Sequence, residues 1–165
     1  MRGDILPFNY DSYPGNYQYH ALTGGNWIQR FWHRGKLHLV DMLMPLRKTD
    51  HVLDIGCGSG NLCLHLASKC QKIIGIDAKE SAIAFANQRK KQERARNCIF
   101  VESVVPPLPF SNNTFDKVFL LDVIEHLQQP VHLLREARRV LKPGGSLMIT
   151  VVAVAQPFWS ATMTV

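Results

Sequence analysis

His51-Val52-Leu53-Asp54-Ile55-Gly56-Cys57-Gly58-Ser59-Gly60 is the stretch whose reading decides the fold. The apolar run from Val52 to Ile55 reads as a buried strand of the kind found in parallel sheets. Three glycines on alternate positions follow at once, then a helical pattern of Leu62, Leu66, Ala67 and Cys70. Strand, glycine turn and helix make the first half of a nucleotide-binding βαβ unit. Glycine permits positive φ in such a turn, and its missing Cβ lets a ligand approach the backbone. The helix that begins there presents N–H groups to polar ligand atoms.

The spacing of the glycines separates two ligand classes. A dinucleotide site asks for G-x-G-x-x-G, and the position of its third glycine is Asn61. That substitution disfavours a nicotinamide-dependent oxidoreductase. The motif present is instead Asp54, Gly56, Gly58 and Gly60, with Asp77 closing the next apolar run. A carboxylate at that strand tip can accept hydrogen bonds from the two hydroxyls of a ribose; its plainer role is to cap the helix that begins near Lys79.

Around this motif, strands and helices alternate. Lys72 to Ile76 reads as a second strand, Lys79 to Arg94 as a helix with Ile83, Phe85 and Ala86 inward, and Asn97 to Val101 as a third strand. Three prolines among residues 106–109 exclude helix and interior strand, so Val105 to Asn113 is loop. Phe115 to Leu121 forms a fourth strand. Pro130 opens a helix at its preferred first position, with a buried stripe of Val131, Leu134, Ala137, Val140 and Leu141. Ser146 to Val152 is a fifth strand. This alternation implies a parallel sheet layered by helices, with ligand at the carboxyl ends of the strands.

With Asp54-x-Gly56-x-Gly58-x-Gly60 and Asp77 stand Leu108-Pro109-Phe110, Phe115-Asp116-Lys117-Val118, Asp122-Val123-Ile124-Glu125-His126 and Leu141-Lys142-Pro143-Gly144-Gly145. In this order the chain resembles the class I S-adenosylmethionine-dependent methyltransferases over residues 50–155. It is similar to the broad group of small methyltransferases that includes quinone-biosynthesis enzymes and many natural-product and sugar-modifying ones. The resemblance implies an α/β fold: Rossmann-like and doubly wound, mostly parallel, with helices on both faces. It implies S-adenosylmethionine bound by Asp54, Gly56, Cys57, Gly58, Gly60, Asp77 and Ala78, with Glu102 and Ser103 beside the adenine and Leu121 and Asp122 along the methionine end. Such folds continue past the fifth strand with a helix and two more strands. Only Ala153 to Val165, including Pro157, Phe158 and Trp159, remain here, so the domain is expected to lack its last strands and to expose the fifth strand to a dimer mate or partner chain.

Within that reading His126 is the candidate general base, because its side chain titrates near neutrality; the competing role is to cap the following segment with Glu125. His20 and His33 are secondary candidates. Methyl transfer from a sulfonium needs alignment more than acid–base groups, so the cofactor site is better marked than the acceptor site. The expected reaction is methyl transfer to a small molecule, most simply at oxygen. A non-catalytic cofactor-binding remnant is the alternative. Direct base methylation is disfavoured: no Pro-Cys occurs, and Pro106-Pro107 precedes the fourth strand.

Two regions are expected, a cover at 1–46 and a cofactor-binding core at 47–165. Residues 1–25, with Tyr10, Tyr13, Tyr17 and Tyr19, read as irregular. Asn26 to Leu46 reads as an amphipathic helix with Ile28, Phe31, Trp32, Leu39, Val40 and Leu43 on one broad face. At 165 residues and 46% hydrophobic, the chain can bury one core. The net charge of +6 is partly local, in Arg89, Lys90, Lys91, Arg94 and Arg96 and in Arg135, Arg138 and Arg139. Solvated helix faces account for these runs better than a nucleic-acid surface. Cys57, Cys63, Cys70 and Cys98 form no C-x-x-C pair and read as buried thiols of a reduced, cytoplasmic protein rather than a disulfide framework or metal site. The most apolar segment, Leu147 to Ala155, is too short to span a bilayer.

Overall fold

The computed structural model describes residues 13–103 and 106–151. The proposed roles of Tyr10, of Val105 and of the tail from Ala153 to Val165 fall outside them. Helices α1 (Tyr17–Thr23) and α2 (Trp27–Leu43) lead into β1 (His51–Ile55) and α3 (Asn61–Leu66), which ends in a single 3-10 turn, Ala67–Lys69. Then come β2 (Lys72–Asp77), α4 (Glu80–Gln92), β3 (Cys98–Glu102), β4 (Phe115–Leu121), α5 (Pro130–Val140) and β5 (Leu141–Thr150). The five strands form one sheet in the order β3-β2-β1-β4-β5, and every pairing is parallel.

Alternation along the strands builds two cores. Val52, Ile73, Cys98, Phe100 and Phe119 pack against Leu62 and Cys63 of α3, Ile83 and Ala86 of α4, and Val40 of α2. Leu53, Ile55, Ile76, Val118 and Leu120 point the other way, onto Leu133, Ala137 and Val140 of α5. Helices therefore cover both faces, as a parallel sheet requires. The chain crosses from one face to the other between β3 and β4, so winding reverses between the adjacent strands β1 and β4. Such a reversal leaves a crevice at the carboxyl ends of those two strands.

Several elements differ from their sequence reading. Residues 17–23 form α1 rather than irregular chain, because its turns dock on the body: Ala21 is buried and Asn61 Nδ2 donates to Gln18 O at 3.0 Å. A seven-residue helix has no stability of its own in water. In α5 the inward residue of the first turn is Leu133, and Val131 is exposed. β5 begins earlier, at Leu141, with a break in register: Leu141 pairs with Phe115 and Ser146 with Lys117.

The largest difference is in α2. A reciprocal capping box starts it: Asn26 Oδ1 accepts from Gln29 N at 2.9 Å, and Gln29 Oε1 accepts from Asn26 N at 3.1 Å. Its apolar stripe, however, faces outward, with Phe31 75% and Ile28 57% exposed and Val40 alone fully buried. The side turned to the sheet instead carries the polar His33 and Lys36, beside Leu37.

The four cysteines are buried and unpaired with one another. Burial pushes their thiols upward, Cys70 to about 11 and Cys98 to about 12, so they stay protonated and serve as small core residues. No described helix is long and apolar enough to cross a membrane.

Candidate cofactor site

The turn after β1 adopts the backbone that its glycines permit. Gly56, Gly58 and Gly60 have φ of +76°, +49° and +77°, a region costly for residues with a Cβ. The turn is tied to the neighbouring strand: Gly56 N and Cys57 N both donate to Ile76 O, at 2.8 and 3.0 Å. Space adds to the restriction at two of the three. A Cβ on Gly56 would run into Val123 and one on Gly60 would lie 2.8 Å from Phe100 Cζ, whereas one on Gly58 meets the movable end of Gln18.

Three carboxylates surround this turn. Asp77, at the tip of β2, is buried, and both its oxygens accept backbone N–H bonds: Gly58 N donates to Oδ2 at 2.8 Å and Lys79 N to Oδ1 at 2.9 Å. Lys79 is the N-cap of α4 and makes no side-chain capping bond, so Asp77 braces the residue that leads into the helix rather than capping its first turn. Asp54 is buried beneath the turn and accepts from Cys63 Sγ at 3.3 Å. Burial pushes its pKa up to about 7, the negative charge of Asp77 adds to the rise, and the Cys63 bond opposes it. Asp122, just past β4, has φ of +57°. It is held by β5, with Thr150 Oγ1 donating to Oδ1 at 2.8 Å and its own N–H donating to Thr150 O at 3.0 Å.

Between β1 and β4, at the reversal of winding, lies a small open-mouthed cavity of about 60 Å³. Asp54, Gly56, Cys57, Leu121 and Asp122 line it from the sheet, Asn61 and Leu62 from α3, and Gln18, Leu22, His33, Lys36 and Leu37 from the two N-terminal helices. Gly58 and Gly60 sit in the same turn, with Asp77 bonded to it. Ala78 is exposed beyond Asp77. Glu102 pairs with Asp77 across the sheet, and Ser103 N donates to Asp77 O at 2.9 Å. These two residues lie at the β3 side of the strand tips, outside the lining of the cavity. His126, on the 3-10 turn Ile124–His126 after β4, is likewise outside the lining.

The residues from Tyr13 to Thr23 lie over the turn. Ser59 Oγ donates to Gly15 O at 2.9 Å, and Lys79 Nζ donates to Tyr13 O. Arg89 belongs here too, not in the solvated basic run where its sequence neighbours place it. It is 8% exposed and donates to Ser59 O at 3.0 Å and to Asn61 Oδ1 at 2.6 Å. Its guanidinium stacks over the Tyr19 ring at 4.5 Å from the centroid. Burial and the Lys36 charge hold the His33 imidazole below its usual pKa, against the pull of Asp122. Lys36, Gln18 and Arg89 carry no sequence signal for this site, since each arrives from a distant part of the chain.

Residues 53–149 match the family model described as a methyltransferase domain. The 27-O-demethylrifamycin SV methyltransferase of Amycolatopsis mediterranei is 34% identical over 109 residues, covering 65% of this chain and 40% of that protein. A ubiquinone biosynthesis O-methyltransferase of Coxiella burnetii is 27% identical over 135 residues, covering 75% of this chain and 57% of that protein. Among solved structures, a SAM-dependent methyltransferase from Aquifex aeolicus superposes with a TM-score of 0.63 at 27% identity, covering 68% of this chain and 62% of that one. The chain thus spans about half the length of these curated relatives. With its glycine turn, its acidic strand tip and its cavity at the winding reversal, the chain belongs to the S-adenosylmethionine-dependent methyltransferase domain family.

Proposed function

We propose that the protein transfers the methyl group of S-adenosylmethionine to a small-molecule acceptor, at oxygen. The observation that carries this reading is the bond from Gly58 N to the Asp77 carboxylate, which fixes an acidic group against a turn that has glycine at alternate positions, each with positive φ. The donor carries an activated sulfonium leaving group, so the chain's task is to bind, align and exclude water. In this reading Asp77 grips the ribose, Glu102 and Ser103 flank the adenine with Ala78 beside them, and the turn Gly56–Gly60 seats the adenosyl group. Asp54, beneath the turn, faces the positive end of the donor. The segment 13–46 acts as the cover, supported by its bonds to Ser59, Asn61 and Lys79.

For the acceptor's proton, His33 is better supported than His126, because it lines the cavity and its lowered pKa keeps it neutral and able to accept. Oxygen as the nucleophile is supported by the rifamycin and ubiquinone relatives, both of which are named for chemistry at oxygen. The alternative reading is cofactor binding without acceptor turnover.

Calorimetric titration with S-adenosylhomocysteine and with NAD tests the site, the first binding and the second not. Asp77→Ala is expected to weaken S-adenosylhomocysteine by about tenfold or more, since it removes bonds to a charged acceptor. An unchanged affinity would count against the assignment. Labelled-methyl transfer to a panel of hydroxylated aromatic acceptors then separates the enzyme from the binding-only reading.

A further inference from the structure

The outward side of α2 is an apolar face that nothing among the described residues covers. Trp27, Phe31, Trp32, Leu39, Met42 and Leu43 are all exposed on it. At 3.6 residues per turn they fill one arc of about 160°, continuous along a helix about 25 Å long. Basic groups border that arc. Arg34 and His38 are exposed at one edge and, with Trp27, Arg30, Phe31 and Gly35, line a shallow groove of about 440 Å³. Arg47 and Lys48 are exposed just past the C-terminal end. Asp41 is the only acid from Tyr13 to Thr49, and it is engaged by His65 and Lys69. Lys36, on the inner side, is engaged by Asp122. The outer face is therefore apolar and positive, with no negative charge to balance it.

That chemistry selects the occupant. A second copy of the face would set Arg30 and Arg34 against the same cations. An anionic lipid surface complements both features: phosphates meet the cations, and acyl chains meet the aromatic arc. We infer that α2 docks the protein on anionic bilayers, lying in the plane of the interface with Arg34, Arg47 and Lys48 at the level of the phosphates. The helix is already formed in the free protein, held by its capping box and by the buried Val40, so docking requires no coil-to-helix ordering. This is attachment to one surface, since no described helix is long and apolar enough to cross a bilayer. His33, Lys36 and Leu37 on the inner side of the same helix line the cavity. Docking therefore holds the cavity about 10 Å, one helix diameter, from the lipid. The inference stands whatever the cavity binds.

Co-sedimentation of the full chain with two kinds of vesicle tests this: phosphatidylglycerol and phosphatidylcholine in equal parts, and phosphatidylcholine alone. Binding to the mixed vesicles is expected, tighter than to the neutral ones by about tenfold or more. Tryptophan emission should shift to the blue on binding, because Trp27 and Trp32, two of the chain's three tryptophans, lie on this face. Phe31→Ser and Met42→Ser should each weaken binding by about fivefold or more, and Arg34→Gln by about fivefold, with urea unfolding unchanged. Lys91→Gln, in the exposed basic run of α4, should change it by less than about twofold. A chain that binds neither vesicle would overturn the inference; if Phe31→Ser then dissolves a dimer in sedimentation velocity, the occupant is a second copy. Binding that ignores Phe31→Ser and Met42→Ser, or that falls as far with Lys91→Gln as with Arg34→Gln, would overturn it too. Attraction would then come from the net charge of +6 and not from α2.

Discussion

Asp54 shows how one enclosed side chain can govern the pH response of the molecule. Its burial raises the folded pKa to about 7, above an unfolded value of about 3.9. Below pH 4 the carboxyl is protonated in both states and costs nothing. Between pH 4 and 7 the folded state keeps a proton that the unfolded chain has lost, so stability falls as pH rises through that window. The full cost persists above it, at most about 4 kcal/mol from a shift of about three units. Asp54→Asn should therefore flatten the decline and stabilise the chain by roughly 1–4 kcal/mol at pH 8, with little gain at pH 4. Urea denaturation at the two pH values reads this directly, and parallel profiles for the two proteins would refute it. The carboxylate was legible in the sequence as part of the glycine motif. Its protonation was not, because that depends on Cys63 and Asp77 packed around it.

At the scale of the element, α2 separates amphipathic pattern from orientation. The pattern was legible: a helix begins at Asn26 with its capping box and stops before Pro45. Apolar stripes ordinarily face the core, yet here Trp27, Phe31, Met42 and Leu43 are 63% or more exposed. The reason is the cavity beneath the helix, which takes His33 and Lys36 against Asp122. Phe31→Ser should accordingly change stability by no more than about 0.5 kcal/mol. Leu66→Ala, in the fully packed α3, should cost about 2–5 kcal/mol. A large cost at Phe31 in chemical denaturation would mean that this face is covered in the folded protein. Arg89 makes the same point in the opposite direction: a residue inside a basic run is drawn into the body by the carbonyl of Ser59 and the ring of Tyr19.

For the whole molecule the sheet edge matters most. Among the described residues β5 pairs only with β4, and Ile149 and Val151 are 39% and 46% exposed. An apolar parallel edge strand of this kind recruits further strands. We expect the chain to self-associate at micromolar concentration through this edge, and Ile149→Lys to shift it toward monomer in sedimentation velocity. Association that survives Ile149→Lys but is lost on changing Phe31 would assign it to the outer face of α2 instead. A monodisperse monomer with full cofactor affinity would dispose of both routes.

Local chemistry in the sequence was sufficient for the strand–turn–helix, the parallel alternation that builds two cores and the glycine seat for a cofactor. Each of these follows from short-range sterics and from periods of two or 3.6 residues. Only the tertiary structure decided what meets at that seat: the reversal between β1 and β4, α1 folded over the glycines, Arg89 stacked on Tyr19, and Lys36 reaching Asp122. Those partners are joined by charge, burial and strand order across tens of residues, and no local period along the chain encodes such distances.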